Sequence, residues 1–172
     1  MARSSKKLVV YYSLDGNTRS VAQAIAETVG ADVLELKPVR DLEQKGFLKY
    51  LVGGIQSLLK QSADLELFDH EPSDYDLLFV GTPVWAGTFT PALRTFLARP
   101  DLKERNAALF CCCGGSSRGT LSSMEAALAR STVVAKAEFV CPMDGDQSQA
   151  KQQAVEWAQS VVSGLDGEAS AG

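Results

Sequence analysis

The stretch Leu8-Val9-Val10-Tyr11-Tyr12-Ser13-Leu14-Asp15-Gly16-Asn17-Thr18 passes directly from an apolar and aromatic run into a hydroxyl- and glycine-rich turn. The run suits a strand covered on both faces, and Ala22, Ala24, Ile25, Ala26 and Val29 then continue with helical spacing. Strand, tight turn and helix therefore follow in order. At such a helix start the first backbone N–H groups lack intrahelical partners and the peptide dipoles sum to a partial positive charge, so an anion is stabilised there. Ser13, Asn17 and Thr18 add side-chain donors, and Gly16 permits close backbone approach. The turn is expected to cradle a phosphate.

Working outward, Asp32 to Leu36 reads as a second strand, Tyr75 to Gly81 as a third, Ala107 to Cys113 as a fourth and Thr132 to Val140 as a fifth. Helical patterns occupy Pro91 to Ala98, Leu121 to Arg130 and Gln147 to Val162. Strands alternating with helices imply right-handed crossovers and a parallel sheet covered on both faces, that is, a three-layer α/β sandwich. Ligands of such sheets gather outside the carboxyl ends of the strands. Residues 1–172 are expected to form one domain with a core of about 6–163, an insertion over about 40–70 and a small, polar, frayed tail from Gly164 to Gly172.

The insertion arises because about 38 residues separate the second and third strands, more than one crossover helix needs. Its centre places Phe47, Leu51, Ile55, Leu58 and Leu59 on one helical face, interrupted by Gly53 and Gly54. Two roles fit: a packed crossover helix, or a lid or docking surface that brings Phe47 or Tyr50 toward a ligand.

A second loop follows the third strand: Pro83-Val84-Trp85-Ala86-Gly87-Thr88. Pro83 fixes one φ angle, Gly87 opens a conformation closed to other residues, and Thr90 before Pro91 suits a helix N-cap. Trp85 is thereby presented at the ligand edge, where an indole can stack on a planar heteroaromatic ring or plug the sheet end against Phe89. A third loop, Cys113-Gly114-Gly115-Ser116, frees backbone donors at the end of the fourth strand. Cys111 and Cys113 should face one side of that strand and Cys112 the other, while Cys141, after the fifth strand, could meet Cys112 or Cys113.

Other features exclude more than they assign. The four cysteines match neither a disulfide framework nor paired zinc-ligand spacing, and His70, between Asp69 and Glu71, suits a surface connector rather than a metal site or a nucleophilic triad. No metal site and no catalytic residue is expected. A formal net charge of −4 without a basic patch argues against nucleic acid as a partner. No window reaches the roughly 20 apolar residues of a membrane span, and the first residues lack the apolar stretch of a signal peptide. A cytoplasmic protein is expected.

Together the three loops resemble those of the flavodoxin family, over Lys6 to about Val162. The resemblance implies a five-stranded parallel sheet of order 2-1-3-4-5 that binds flavin mononucleotide (FMN). Ser13, Leu14, Asp15, Gly16, Asn17 and Thr18 would hold its 5′-phosphate, Pro83, Val84, Trp85, Ala86, Gly87 and Thr88 would form the first ring loop, and Cys113, Gly114, Gly115 and Ser116 the second. Three departures stand out. Asp15 replaces a frequent threonine and is expected to turn outward or cap backbone amides, because a carboxylate aimed at a phosphate would repel it. The loop Cys113 to Arg118 lacks the tyrosine that shields the second ring face in many flavodoxins, and the net charge is only mildly acidic. The leading expectation is an electron carrier working through the flavin ring edge with a redox partner protein. The alternatives are an FMN-dependent oxidoreductase acting on a small redox substrate such as NAD(P)H or a quinone, and a flavin-free interaction or sensor domain.

Overall fold

A computed structural model describes residues 5–40, 55, 61–128, 130–142 and 145–170. Five strands, β1 (Lys7–Tyr11), β2 (Asp32–Glu35), β3 (Leu77–Pro83), β4 (Asn106–Cys113) and β5 (Thr132–Val140), form one parallel sheet in the order β2-β1-β3-β4-β5. Among the described residues four helices cover it: α1 (Asn17–Val29), α2 (Pro91–Leu97), α3 (Thr120–Ala127) and α4 (Ser148–Ser170). This is the expected architecture and strand order.

Period-two alternation divides β1 between two apolar layers. Leu8 and Val10 join Val80, Leu109, Leu93, Phe96 and Met124 beneath α2 and α3, whereas Val9 and Tyr11 join Phe79, Phe110, Ile25 and Ala154 beneath α1 and α4. On the second face Trp157 of α4 meets Phe79, Phe110 and Phe139 with ring centroids 5.7, 6.2 and 5.8 Å away, clasping the edge strand β5 to the centre of the sheet. Gly81 lies between Tyr11 and Phe110 in the ladder, and a Cβ there would fall 2.0 Å from the Phe110 ring. Only glycine lets the Phe110 ring lie flat over the sheet at this point.

The expectation of a frayed tail from Gly164 is corrected, because α4 continues to Ser170. Ala150, Ala154, Ala158 and Val161 form a buried stripe, and Leu165 extends it past Gly164 at the spacing of one more turn, which offsets the low helix propensity of the glycine. Thr90 does occupy the N-cap position of α2 before Pro91, but its hydroxyl makes no capping bond. His70 is half-buried rather than on the surface, its Nδ1 lying 2.9 Å from the Tyr75 hydroxyl, which itself donates to Asp32 at 2.7 Å. The helical pattern expected over 46–60, with Phe47, Tyr50, Leu51, Leu58 and Leu59, lies outside the described residues except for Ile55.

Candidate functional site

The carboxyl ends of β1, β3 and β4 open on one cleft of about 160 Å³, lined by Ser13 to Asp15, Asn17, Thr18, Pro83 to Trp85, Cys112 to Gly114 and Cys141. Its first wall is the turn between β1 and α1. Gly16 has φ 93°, so the chain reverses there in the left-handed region, and the Gly16 N–H donates to Ser13 Oγ at 3.1 Å. The turn thereby holds itself in shape. No acidic residue stands in the first turn of α1, and Gly16 at its N-cap makes no side-chain capping bond, so the Asn17, Thr18 and Arg19 N–H groups have no partner within the helix. Thr18 is buried, Asp15 is exposed, and Asn17 Oδ1 accepts a hydrogen bond from Gln147 Nε2 at the start of α4. Arg19 turns away to Glu35, bonding its carboxylate at 2.6 Å.

The second wall is a tight hairpin. Trp85 and Thr88 exchange backbone hydrogen bonds of 2.9 and 3.0 Å, and Ala86 and Gly87 both have positive φ, the signature of a type I′ turn. The Val84 N–H donates to the Cys112 carbonyl at 3.0 Å, fixing the loop to the end of β4. Trp85 is 8% exposed and packs edge-on against Tyr12 at 5.6 Å, within the cluster that contains Phe89. The indole therefore plugs the sheet end and lines the cleft at once.

The third wall is the loop after β4. Glu138 on β5 accepts the Ser117 N–H at 3.1 Å and the Cys113 thiol at 3.6 Å. The Ser117 hydroxyl, with help from its N–H, holds the Glu138 carboxyl below the usual carboxylate range. Burial pushes the Cys113 thiol up to about 11, so it stays protonated near neutrality and donates. Gly114, Gly115 and Ser116 are exposed. The two outer loops touch, since a Cβ on Gly87 would sit 3.4 Å from Arg118 Cβ.

Of the residues singled out in the sequence, Ser13, Leu14, Asp15, Asn17, Thr18, Pro83, Val84, Trp85, Cys113 and Gly114 converge on the cleft. Gly16, Ala86, Gly87, Thr88, Gly115 and Ser116 shape the turns around it without lining it. Cys112 and Cys141 line it and were missed as site residues. The sequence allows Cys141 to meet Cys112 or Cys113, but only the strand register brings its side chain to the cleft floor. Gln147 carries no sequence signal at all. Among the described residues no group of histidine, cysteine and carboxylate side chains suits a metal ion, and no helix is long and apolar enough to cross a membrane.

An oxyanion fits the first wall: its donors are backbone amides and hydroxyls, and the one carboxylate among the described lining residues, Asp15, is exposed. The indole hairpin and the glycine loop border the other end of the cleft, where Val84, Trp85 and Gly114 belong to its lining.

Comparison with known proteins bears on the family and the fold. The family model described as NADPH-dependent FMN reductase matches residues 6–146. A flavoprotein from Lactobacillus acidophilus NCFM, solved in complex with FMN, is 20% identical, with a TM-score of 0.68 over 86% of this chain and 97% of that one. Oxidised flavodoxin 2 from Bacillus cereus is 16% identical, with a TM-score of 0.58 over 92% and 99%. A flavodoxin, WrbA-like protein from Agrobacterium tumefaciens is 17% identical, with a TM-score of 0.57 over 92% and 98%. At these identities the likeness shows a shared flavodoxin-like fold.

Proposed function

The chain belongs to the NADPH-dependent FMN reductase family, and from that premise we propose that it binds FMN in the cleft and transfers electrons through the ring edge beside Trp85 and Gly114. The observation that carries this reading is the convergence of a self-supported anion turn, Ser13 to Thr18, with an indole hairpin and a glycine loop on one cleft. The amides of α1 and the hydroxyls of Ser13 and Thr18 would bind the phosphate. Val84, Trp85 and Gly114 would bind the ring, Trp85 excluding water from one side. FMN supplies one- or two-electron chemistry when bound; the protein's part is to anchor it, tune it and limit its exposure. Glu138 keeps the third loop closed against β5, so that Gly114 presents its backbone in a fixed position.

The family match favours a second reading, in which a small reductant such as NAD(P)H, or a quinone acceptor, reacts directly at the cleft. Two experiments separate the possibilities. Titration of the purified chain with FMN should quench flavin fluorescence with saturable, tight binding, and absence of binding would remove both readings. Anaerobic mixing of the flavin-loaded protein with NADPH then distinguishes them: slow bleaching of flavin absorbance supports a carrier that depends on a redox partner protein, whereas rapid bleaching supports the oxidoreductase.

A further inference from the structure

Four cysteines meet at the carboxyl ends of β4 and β5, and all four are free and buried. The sheet sorts them. Cys112 is paired in register with Phe139 and Cys113 with Val140, and the Cys141 N–H donates to the Cys113 carbonyl at 2.8 Å, carrying the ladder one step past the end of β5. Alternation then places Cys112, Phe139 and Cys141 on the same face, and all three pack in the layer beneath α1 and α4. Cys111 and Cys113 point to the opposite face. Cys112 and Cys141 are also the pair that lines the cleft floor, at 4% and 2% exposure, so a small solute in the cleft reaches both while a bulky one does not.

We propose that Cys112 and Cys141 are a redox-active dithiol, which a small hydroperoxide entering the cleft oxidises to a disulfide joining the ends of β4 and β5. Their roles differ. The Cys112 thiol, interacting with Cys141, holds the Cys141 thiol below its ordinary value and is itself pushed well above, whereas burial raises Cys111 to about 12. The geometry runs the same way: Cys112 lies inside β4, between β3 and β5, whereas Cys141 follows the end of the edge strand β5, so Cys141 is the nucleophile and Cys112 the resolving thiol. In the first step the Cys141 thiolate attacks one peroxide oxygen: an S–O bond forms, the O–O bond breaks, and the departing oxygen takes up the proton that Cys141 lost, leaving as water or an alcohol. In the second, Cys112 gives up its proton and attacks the Cys141 sulfur, so the S–S bond forms and hydroxide departs with that proton as water. Two thiols and one hydroperoxide become one disulfide, one alcohol or water, and one further water.

The dithiol does not depend on the flavin reading, and its test reads mass rather than electron transfer. The native chain is exposed to a modest excess of hydrogen peroxide, its remaining thiols are alkylated, and its intact mass and fragment spectra are recorded. The expected product has two fewer alkylatable thiols, a Cys112–Cys141 bridge in the fragments, and full reversal by dithiothreitol. The Cys111→Ser chain should still form the bridge, and the Cys112→Ser chain should instead accumulate oxygen adducts on Cys141. A bridge through Cys113 would overturn the proposal, as would oxygen addition to Cys141 in the wild type without a bridge. So would thiols inert to a peroxide dose that oxidises the unfolded chain.

Discussion

The two ends of the cleft are built by different means. The turn from Ser13 to Thr18 is local: neighbouring residues make it, and its donors are backbone amides held by a Gly16 to Ser13 bond and one positive φ. The opposite end is assembled from Trp85 after β3, Gly114 after β4 and Cys141 after β5, with Glu138 pinning one loop and the Cys112 carbonyl the other. A local site discriminates by charge, because aligned amides favour anions of any parent molecule. An assembled site discriminates by shape, because several elements must agree on one geometry.

Substitutions can break this division, and the largest effect is expected in the sheet that carries both ends. Gly81→Ala would drive a methyl group into the Phe110 ring, which is fully buried and has no room to withdraw. A loss of ~3 kcal/mol or more is expected, the upper range for overpacking, measured by urea unfolding. A wild-type midpoint would show that the Phe110 ring yields and that the sheet beneath the two ends is not rigid.

Next comes the end from Ser13 to Thr18, where a phosphate is proposed to bind. Asn17→Asp keeps an acceptor for Gln147 and adds an acid to the first turn of α1, which favours the helix, so thermal stability should not fall. FMN affinity should fall on the order of 100-fold, from ~3 kcal/mol of like-charge repulsion at an effective dielectric near 20, while riboflavin affinity is unchanged. Equal weakening of both ligands would erase the division. Trp85→Phe at the other end should weaken FMN and riboflavin alike, by about tenfold or less, from partial loss of aromatic contact. A loss confined to FMN would reverse the assignment of the two ends.

The smallest effect concerns Glu138. Its carboxyl titrates lower in the folded chain than the ordinary 4.5, so its hold on the third loop is complete above that pH and is lost as pH falls through the lower folded value. In Glu138→Gln, ring affinity should drop only a few-fold, since the amide oxygen still accepts the Ser117 N–H and the site is solvent-screened. The acid-induced decline of wild-type riboflavin affinity below about pH 4.5 should be absent from this variant. An identical decline in both chains would show that another group controls the loop.

Legibility in the sequence follows the same division. The strand run Leu8 to Tyr12 and the turn to Thr18 declared themselves because their meaning is contained in adjacent residues, and the alternation of strands and helices followed from periodicity. Trp85 and Gly114 were legible as loop residues at strand ends, where a parallel sheet collects its ligands. Cys112, Cys141 and Gln147 were not legible as site residues, since their positions depend on strand register and on the docking of α4, neither of which leaves a local pattern. The continuation of α4 beyond Gly164 was hidden for a related reason: packing through Leu165 outweighs the glycine's own preference.

The bond from Gln147 to Asn17 joins positions 130 residues apart. During synthesis the turn from Ser13 to Thr18 emerges before the sheet and the residue that meets it emerges after β5, so this contact cannot form until Gln147 has left the ribosome. Such long-range closure raises contact order and slows folding. A ligand that spans the finished cleft would therefore act on a late step of assembly, stabilising only chains in which α4 has docked.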